Sequence, residues 1–418
     1  MVIQRPTYVN KLIRKERNGL IKVVTGVRRC GKSFLLFTLF HAHLTKEQGV
    51  DGSHIIEIAL DDRSNMELRD PDRMLAYVKS KITDSKTYYI ILDEVQLLRE
   101  FEDVLNSLLH IRNADVYVTG SNSRFLSSDV ITEFRGRGDE VRVHPLSFRE
   151  YSSAYAGTAD EAWDDYFTYG GLPLILTRDT PEEKAEYLIS LFKTVYLSDI
   201  VERYKIKNRE EIDELTDILA SAIGSLTNPM KLVKTFKSVK GKTISDKTLK
   251  KYIDYLTDAF LLSKAVRYDI KGKKYINSPA KYYFEDVGLR NARLNYRQNE
   301  ENHIMENLIY NDLRIRGYQV DVGVVEVYGK DGNGKTTRKQ YEVDFIATQG
   351  SQKYYIQSAF SLGAPEKAAQ EQYPLTCIND SFAKMIVVRA NIRARRNERG
   401  IVTIGVRNFL LNENDLTL

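Results

Sequence analysis

The chain has 418 residues, 42% hydrophobic and 28% charged, and a net charge of +5. That length points to two or three domains, and no apolar run approaches the ~20 residues a bilayer span needs, so a membrane-spanning helix is excluded. MVIQRPTYVNKLI lacks the apolar stretch of a secretory signal, and Cys30 and Cys377, the two cysteines, form neither a disulfide framework nor a metal-binding pair. A cytoplasmic protein is expected.

In chain order, the apolar, β-branched run LIKVVTG (20–26) leads into GVRRCGKS (26–33) and then into the apolar FLLFTLFHAHL. Strand, glycine-rich turn and helix in that order are what a phosphate-binding loop requires. Gly26 and Gly31 let the backbone of Val27, Arg28, Arg29 and Cys30 curl so that N–H groups face a phosphate, and the following helix N-terminus adds positive potential. Lys32 is expected to reach the β- and γ-phosphates of ATP, Ser33 to ligate Mg²⁺, and Phe34 to close the nucleotide-binding stretch. With Cys30 inside the loop, alkylation is expected to inactivate and nucleotide to protect. A second match to the same pattern, GKDGNGKT (329–336), follows a strand but precedes the polar, strand-like TRKQYEVDF. With no helix to open, it reads as a hairpin turn.

YYIILDEVQ (88–96) is an apolar strand ending in two carboxylates. Asp93 is the expected Mg²⁺ partner and Glu94 the base that polarises the attacking water, the arrangement of hydrolysing P-loop enzymes. ADVYVTGSNS (114–123) supplies a further strand ending in Thr119, Ser121 and Asn122, of which Ser121 or Asn122 is the preferred γ-phosphate sensor. FRGRGDEVRVHPL then offers Arg135 and Arg137; ring-forming ATPases place a finger arginine here for a neighbouring subunit, and Arg137, flanked by Gly136 and Gly138, is favoured.

Together GVRRCGKS, LDEVQ, TGSNS, FRGRG, HPLSFREY, YGGLP (169–173), YYFEDVGLRNA (282–292), EVDF (342–345) and GIVTIGVRNFLL (400–411) resemble a family of bacterial and archaeal AAA+-type ATPases with a winged helix and a C-terminal restriction-endonuclease-like domain. The resemblance implies an α/β fold in four parts: an AAA+ P-loop core over 1–146, a helical lid over 147–224, a winged helix over 225–276 and an α/β restriction-endonuclease-like domain over 277–418. It also implies ATP hydrolysis with Mg²⁺ and association with DNA.

The residues of the later parts carry their own signals. Leu188, Leu191, Phe192, Val195 and Tyr196 recur at helical spacing, a core stripe of the lid. Between Asn228 and Ile276 stand thirteen basic residues against four acids, a segment of +9 in a chain of +5. Ser245 is the expected N-cap of a helix whose stripe is Leu249, Ile253 and Leu256, which turns Lys247, Lys250 and Lys251 outward. RYDIKGKKY adds a turn with Lys271, Lys273 and Lys274. Lysine-rich and arginine-poor, this face suits DNA phosphates better than base edges, so weak sequence specificity is expected.

In the last part Glu306 and Asp344 match the helix glutamate and strand aspartate of the nuclease core, and Glu342 shares a strand face with Asp344. On YYIQSAFS (354–361), where such a nuclease carries an acid and a lysine, stand Gln357 and Ala359. Gln357 offers one neutral oxygen and Ala359 nothing to orient water, so a vestigial, non-cleaving site of Glu306, Asp344 and Gln357 is expected. The leading function is an oligomeric, ring-capable ATPase that moves or remodels duplex or branched DNA, four-way junctions included. The rivals are a nucleotide-dependent regulatory or defence switch and a metal-dependent nuclease.

Overall fold

The computed structural model describes residues 2–120, 136–241, 244–298, 300–330, 336–363, 365–412 and 416. Two compact units result, Met1–Pro145 and Leu146–Leu418. No helix of the described residues is long and apolar enough to cross a membrane.

The N-terminal unit is a parallel sheet with helices on its faces. Its strands are β1 (Ile21–Thr25), β2 (Ile55–Ala59), β3 (Tyr88–Asp93), β4 (Ala114–Thr119) and β5 (Gly138–Arg142), in the order β2-β3-β4-β1-β5. Every residue of β1 and β3 is buried, as a parallel sheet covered on both faces demands, and this is why these strands read as continuous apolar runs. Ile90, Leu92, Val116 and Val118 pack on one side with Met74 and Val78 of the helix Pro71–Lys81 and with Phe101, Leu105 and Leu108 of the helix Phe101–Leu109. Asp70 starts the first of these helices by accepting from Arg73 N at 3.2 Å. After the glycine-rich turn, helical backbone begins at Lys32–Phe34 and widens into π-type turns over Leu35–Phe40 and His43–Glu47.

The C-terminal unit begins with helices whose starts are written in the sequence. Ser147, Thr158 and Thr180 each accept from the N–H three residues on, where Glu150, Glu161 and Glu183 reach back, giving three capping boxes for the helices Phe148–Ala154, Ala159–Tyr169 and Pro181–Leu191. Helices Arg209–Ser221, Pro229–Lys240 and Asp246–Asp258 follow. Ser245 caps the last through its hydroxyl, 3.0 Å from Thr248 N, and Leu249, Ile253 and Leu256 are buried.

Eight strands form one sheet: β6 (Leu262–Asp269), β7 (Lys274–Phe284), β8 (Gln319–Lys330), β9 (Thr336–Gln349), β10 (Gln352–Ala359), β11 (Ala383–Val388), β12 (Arg395–Arg396) and β13 (Val402–Gly405), in the order β12-β13-β11-β10-β9-β8-β6-β7. β6 and β7 are the hairpin read as a wing. The hairpin is welded to the rest of the sheet, because Arg267–Asp269 of β6 pair in parallel with Val322–Val324 of β8. The expected boundary at 276/277 therefore falls inside β7. The second glycine-lysine pattern separates β8 from β9, which pair antiparallel up to Lys330 and Thr336. It joins two neighbouring strands and opens no helix. IVTIGVRNFLL, read as one strand, divides into β13 and the helix Val406–Leu411 at Gly405, where an added Cβ would lie 2.3 Å from Ala390 O.

Candidate functional site

At the C-terminal end of β1 the chain turns sharply. Gly26 has φ of 137°, and a Cβ there would lie 2.0 Å from Val143 O, so only glycine fits. Arg29 and Gly31 also take positive φ, 64° and 96°, which curls the loop before Lys32 opens the helix. Val27 and Cys30 are buried, Arg28 half-buried and Arg29 exposed, and Phe34 is exposed at 37% just beyond the loop. A Gly26→Ala chain is expected to lose nucleotide binding by tenfold or more, because either the β1 turn or the Val143 strand end must move; titration with a fluorescent nucleotide reads this, and unchanged affinity would rule it out.

Lys32 is 5% exposed and its Nζ donates to Gly26 O at 3.0 Å and Val27 O at 3.2 Å, which holds the ammonium inside the loop. Ser33 Oγ donates to Asp93 Oδ1 at 3.0 Å. This hydroxyl and carboxylate are hard oxygen donors of the kind Mg²⁺ takes, and the pair fits that ion. Burial raises the Asp93 carboxyl above its ordinary range, opposed by its hydrogen bonds from Thr119 and Ser33. Glu94 follows in left-handed backbone, φ 51°, which turns its side chain off the strand line, and Gln96 Nε2 donates to its carboxylate.

Two contributors were missed in the sequence. Thr119, passed over for Ser121 or Asn122, donates its hydroxyl to Asp93 Oδ1 and accepts from Glu94 N at 3.1 Å, so it ties both carboxylate positions together. The signal was there: a polar side chain ending an apolar strand beside β3. Ser121, Asn122 and Arg135 lie outside the described residues. Arg5, the second, donates to Cys30 O at 3.0 Å, His144 O at 2.9 Å and Pro145 O at 3.2 Å, and its guanidinium lies over the Tyr8 ring at 4.4 Å. It pins the N-terminal segment beneath the loop. Cys30 differs from expectation: the thiol is wholly buried, 3.4 Å from Val143 O, so it is shielded with or without nucleotide and the alkylation test loses its basis.

Arg137 is exposed, with Nη1 2.9 Å from Asn106 Oδ1. It precedes β5, whose first residue pairs with Ile21 and whose last pairs with Thr25. Five strand residues, ~16 Å, therefore separate it from the phosphate loop of its own chain.

In the C-terminal unit the six lysines are all exposed: Lys247, Lys250 and Lys251 along the helix Asp246–Asp258, and Lys271, Lys273 and Lys274 at the β6–β7 turn. Lys250 pairs with Asp246 at 2.7 Å, and Lys271 Nζ reaches Glu326 O at 2.9 Å, so four of the six have no such partner drawing them back to the surface except Lys251, which lies over the Tyr255 ring at 5.6 Å.

The expected vestigial nuclease site is rearranged. Glu306 and Asp344 do converge, but on the ammonium of Lys281, a β7 residue the sequence gave no reason to place there. Gln357 stands apart: its carbonyl faces Asp344 N at 3.4 Å and its amide faces Glu371 Oε2 at 3.3 Å, so its oxygen serves the backbone and not a ligand set. Ala359 is 1% exposed and packs in an apolar cluster with Tyr355, Leu375 and Ile386. Burial pushes the Glu306 carboxyl up to about 7, against the opposing pull of Lys281 and Tyr283. Among the described residues no group of three or more His, Cys, Asp or Glu side chains could hold a metal ion.

Comparison with known proteins places these observations. Residues 18–152 match the family model described as an AAA domain, and residues 160–300 match one described as a domain of unknown function (DUF8612). An uncharacterized protein of Haemophilus influenzae is 31% identical over 392 residues, 92% of this chain and 93% of that protein. Uncharacterized protein MJ1544 of Methanocaldococcus jannaschii is 28% identical over 83% of this chain and 76% of its own length. Among solved structures, the Aeropyrum pernix ORC1 protein in complex with DNA aligns over 71% of this chain and 93% of that one at 12% identity, with a TM-score of 0.27, too loose a superposition to carry an argument. The parallel sheet with its glycine-rich loop is thus an AAA+-type core, and the chain belongs to the same family of AAA-domain proteins as the Haemophilus influenzae protein.

Proposed function

We propose that this chain is a cytoplasmic ATPase that hydrolyses ATP with Mg²⁺ and uses the cycle to move or remodel DNA, duplex or branched, as an oligomer. The observation that carries the reading is the meeting of Lys32, Ser33, Asp93, Thr119 and Glu94 at one end of the sheet. In this reading Lys32 exchanges the carbonyls of Gly26 and Val27 for phosphate oxygens, and the loop N–H groups cradle the phosphate they face. Ser33 and Asp93 hold the Mg²⁺, which supplies charge neutralisation at the phosphates when bound. Glu94, turned off the strand by its left-handed backbone, takes the position of the base that orients water, and Thr119 keeps it in register with Asp93.

The exposed lysines support DNA as the partner. A face rich in lysine and poor in arginine neutralises phosphates without reading bases, so affinity should fall steeply with salt and vary little with sequence. The separation of Arg137 from its own phosphate loop supports a role toward a neighbouring subunit rather than its own.

The test is ATP turnover by the full chain, alone and with duplex, single-stranded and four-way DNA, with the mass in solution measured alongside. Stimulation by DNA that fades between ~50 and ~200 mM salt is expected, and Lys247→Glu, Lys251→Glu and Lys273→Glu together should flatten the salt slope by about one unit per phosphate contact removed. Turnover indifferent to every DNA form at low salt would instead favour the nucleotide-dependent switch.

A further inference from the structure

The carboxylate cluster of the eight-stranded sheet has its own cation. Lys281 Nζ lies 2.8 Å from Glu306 Oε1, 2.8 Å from Glu342 Oε1 and 3.0 Å from Asp344 Oδ1. An ammonium has three protons to give, and each finds a carboxylate. The three acids come from separate places in the chain, the helix Glu301–Ile315 and two positions on β9, yet their oxygens point at one centre.

The surroundings fix that centre. Tyr283 OH donates to Glu306 Oε1 at 2.6 Å, and Ser358 N donates to Asp344 Oδ2 at 2.9 Å, so each acid is held from behind. Gly224 closes the Glu306 side, where a Cβ would come within 3.0 Å of Oε2. Lys281 itself is 2% exposed, and only Glu342 keeps partial contact with water.

Three converging carboxylates are more than one ammonium needs for neutrality, and they form the hard, all-oxygen donor set that suits Mg²⁺ or Mn²⁺. Such ions require oxygens at ~2.1 Å from the centre, whereas here the oxygens stand at N–H···O distances around a nitrogen. Ammonium and metal cannot share the position. The residues therefore do not fit the divalent ion that a restriction-endonuclease-like domain implies.

We infer that the Lys281 ammonium is a tethered cation standing where a divalent metal would sit, so that the native cluster binds no metal and removal of the amine turns it into a Mg²⁺/Mn²⁺ site. The reading is independent of the ATP site. Lys281 comes from β7, the strand that also begins with the exposed Lys274, so the sheet order that joins the hairpin to β8 is what brings it here.

The experiment is a Mn²⁺ titration of the nucleotide-free full chain, with free Mn²⁺ followed by electron paramagnetic resonance and the melting midpoint recorded in parallel. Wild type and Glu342→Gln should bind equally little, since any Mn²⁺ at the phosphate loop is common to both. Lys281→Ala should bind one further equivalent and melt several degrees higher with Mn²⁺ than without, and Lys281→Ala with Glu342→Gln should lose at least tenfold in that affinity. If wild type binds an equivalent that Glu342→Gln loses, or if Lys281→Ala binds no more than its double variant, the inference is overturned. Should Lys281→Ala fail to fold, Lys281→Gln takes its place, and the wild-type against Glu342→Gln comparison decides by itself: equal, low binding supports the tethered cation and a lost equivalent refutes it.

Discussion

A Glu94→Gln chain is expected to bind ATP and hold it, with turnover reduced by ~10²–10⁴-fold, the range for removing a positioned general base. Lys32→Ala should lose turnover as completely, by a different route, because the ammonium that answers the β- and γ-phosphate charge is gone and binding weakens as well. The geometry separates the two. Glu94 is held by Gln96 and by its backbone bond to Thr119, none of which an amide in its place disturbs, so the nucleotide pocket survives. Phosphate release with radiolabelled ATP, followed by analysis of the nucleotide retained through gel filtration, distinguishes trapping from failure to bind. Full turnover in either variant would remove these residues from the site.

Replacing Asp286 by Ala should destabilise the C-terminal unit by ~2–4 kcal/mol, the sum of a lost helix cap and a buried N–H left without a partner. Asp286 is 2% exposed. One oxygen accepts from Leu289 N at 3.0 Å and starts the helix Val287–Arg293; the other accepts from Gly171 N at 2.7 Å. Gly170, at φ 75°, must be glycine here because a Cβ would fall 2.2 Å from Asp286 Oδ1. Asn291 completes the joint by donating to Thr168 O at 2.9 Å. YGGLP and EDVGLRNA, more than a hundred residues apart, are thus two halves of one buried joint. Thermal unfolding would show the loss, and a midpoint within ~2 °C of wild type would contradict it.

The same carboxyl gives a pH signature. Burial raises it from 3.8 to about 6, opposed by the backbone N–H groups of Gly171, Leu289 and Gly288. The folded chain holds this proton more tightly than the unfolded chain does, so the stabilisation is full below the unfolded value, falls as pH rises through about 6 and is level above that. Relative to Asp286→Asn, which does not titrate, wild type should lose stability across this window and no further above it. Parallel denaturation curves for the two proteins across that range would exclude the shift.

The phosphate loop was legible because its chemistry is local. Gly26, Gly31, Lys32 and Ser33 are consecutive on one turn, and the strand before and helix after them announce themselves by apolar runs. The capping boxes at Ser147, Thr158 and Thr180 are equally local, four residues each. Asp93 and Glu94 were readable because a strand buried on both faces has few polar positions, and those at its end stand out. The choice among Thr119, Ser121 and Asn122 was harder, since it turns on which side chain faces β3, and strand register is a property of pairs. Cys30 shows the same limit at a single residue: sequence places the thiol in the loop, and packing against Val143 decides that it points inward.

The C-terminal sheet marks the boundary between the two kinds of information. The amino-acid sequence by itself determined the glycine-rich loop, the paired acids on β3, the lysine-rich helix face and the absence of a lysine at Ala359, because each follows from residue type and short-range spacing. Only the tertiary structure decided that β6 joins β8, that β7 lies at the sheet edge, and that Lys281 thereby reaches Glu306, Glu342 and Asp344 from 25 to 63 positions away. Strand order is set by how many apolar faces can be covered at once across the whole unit, and no local pattern around KYYFED carries that sum.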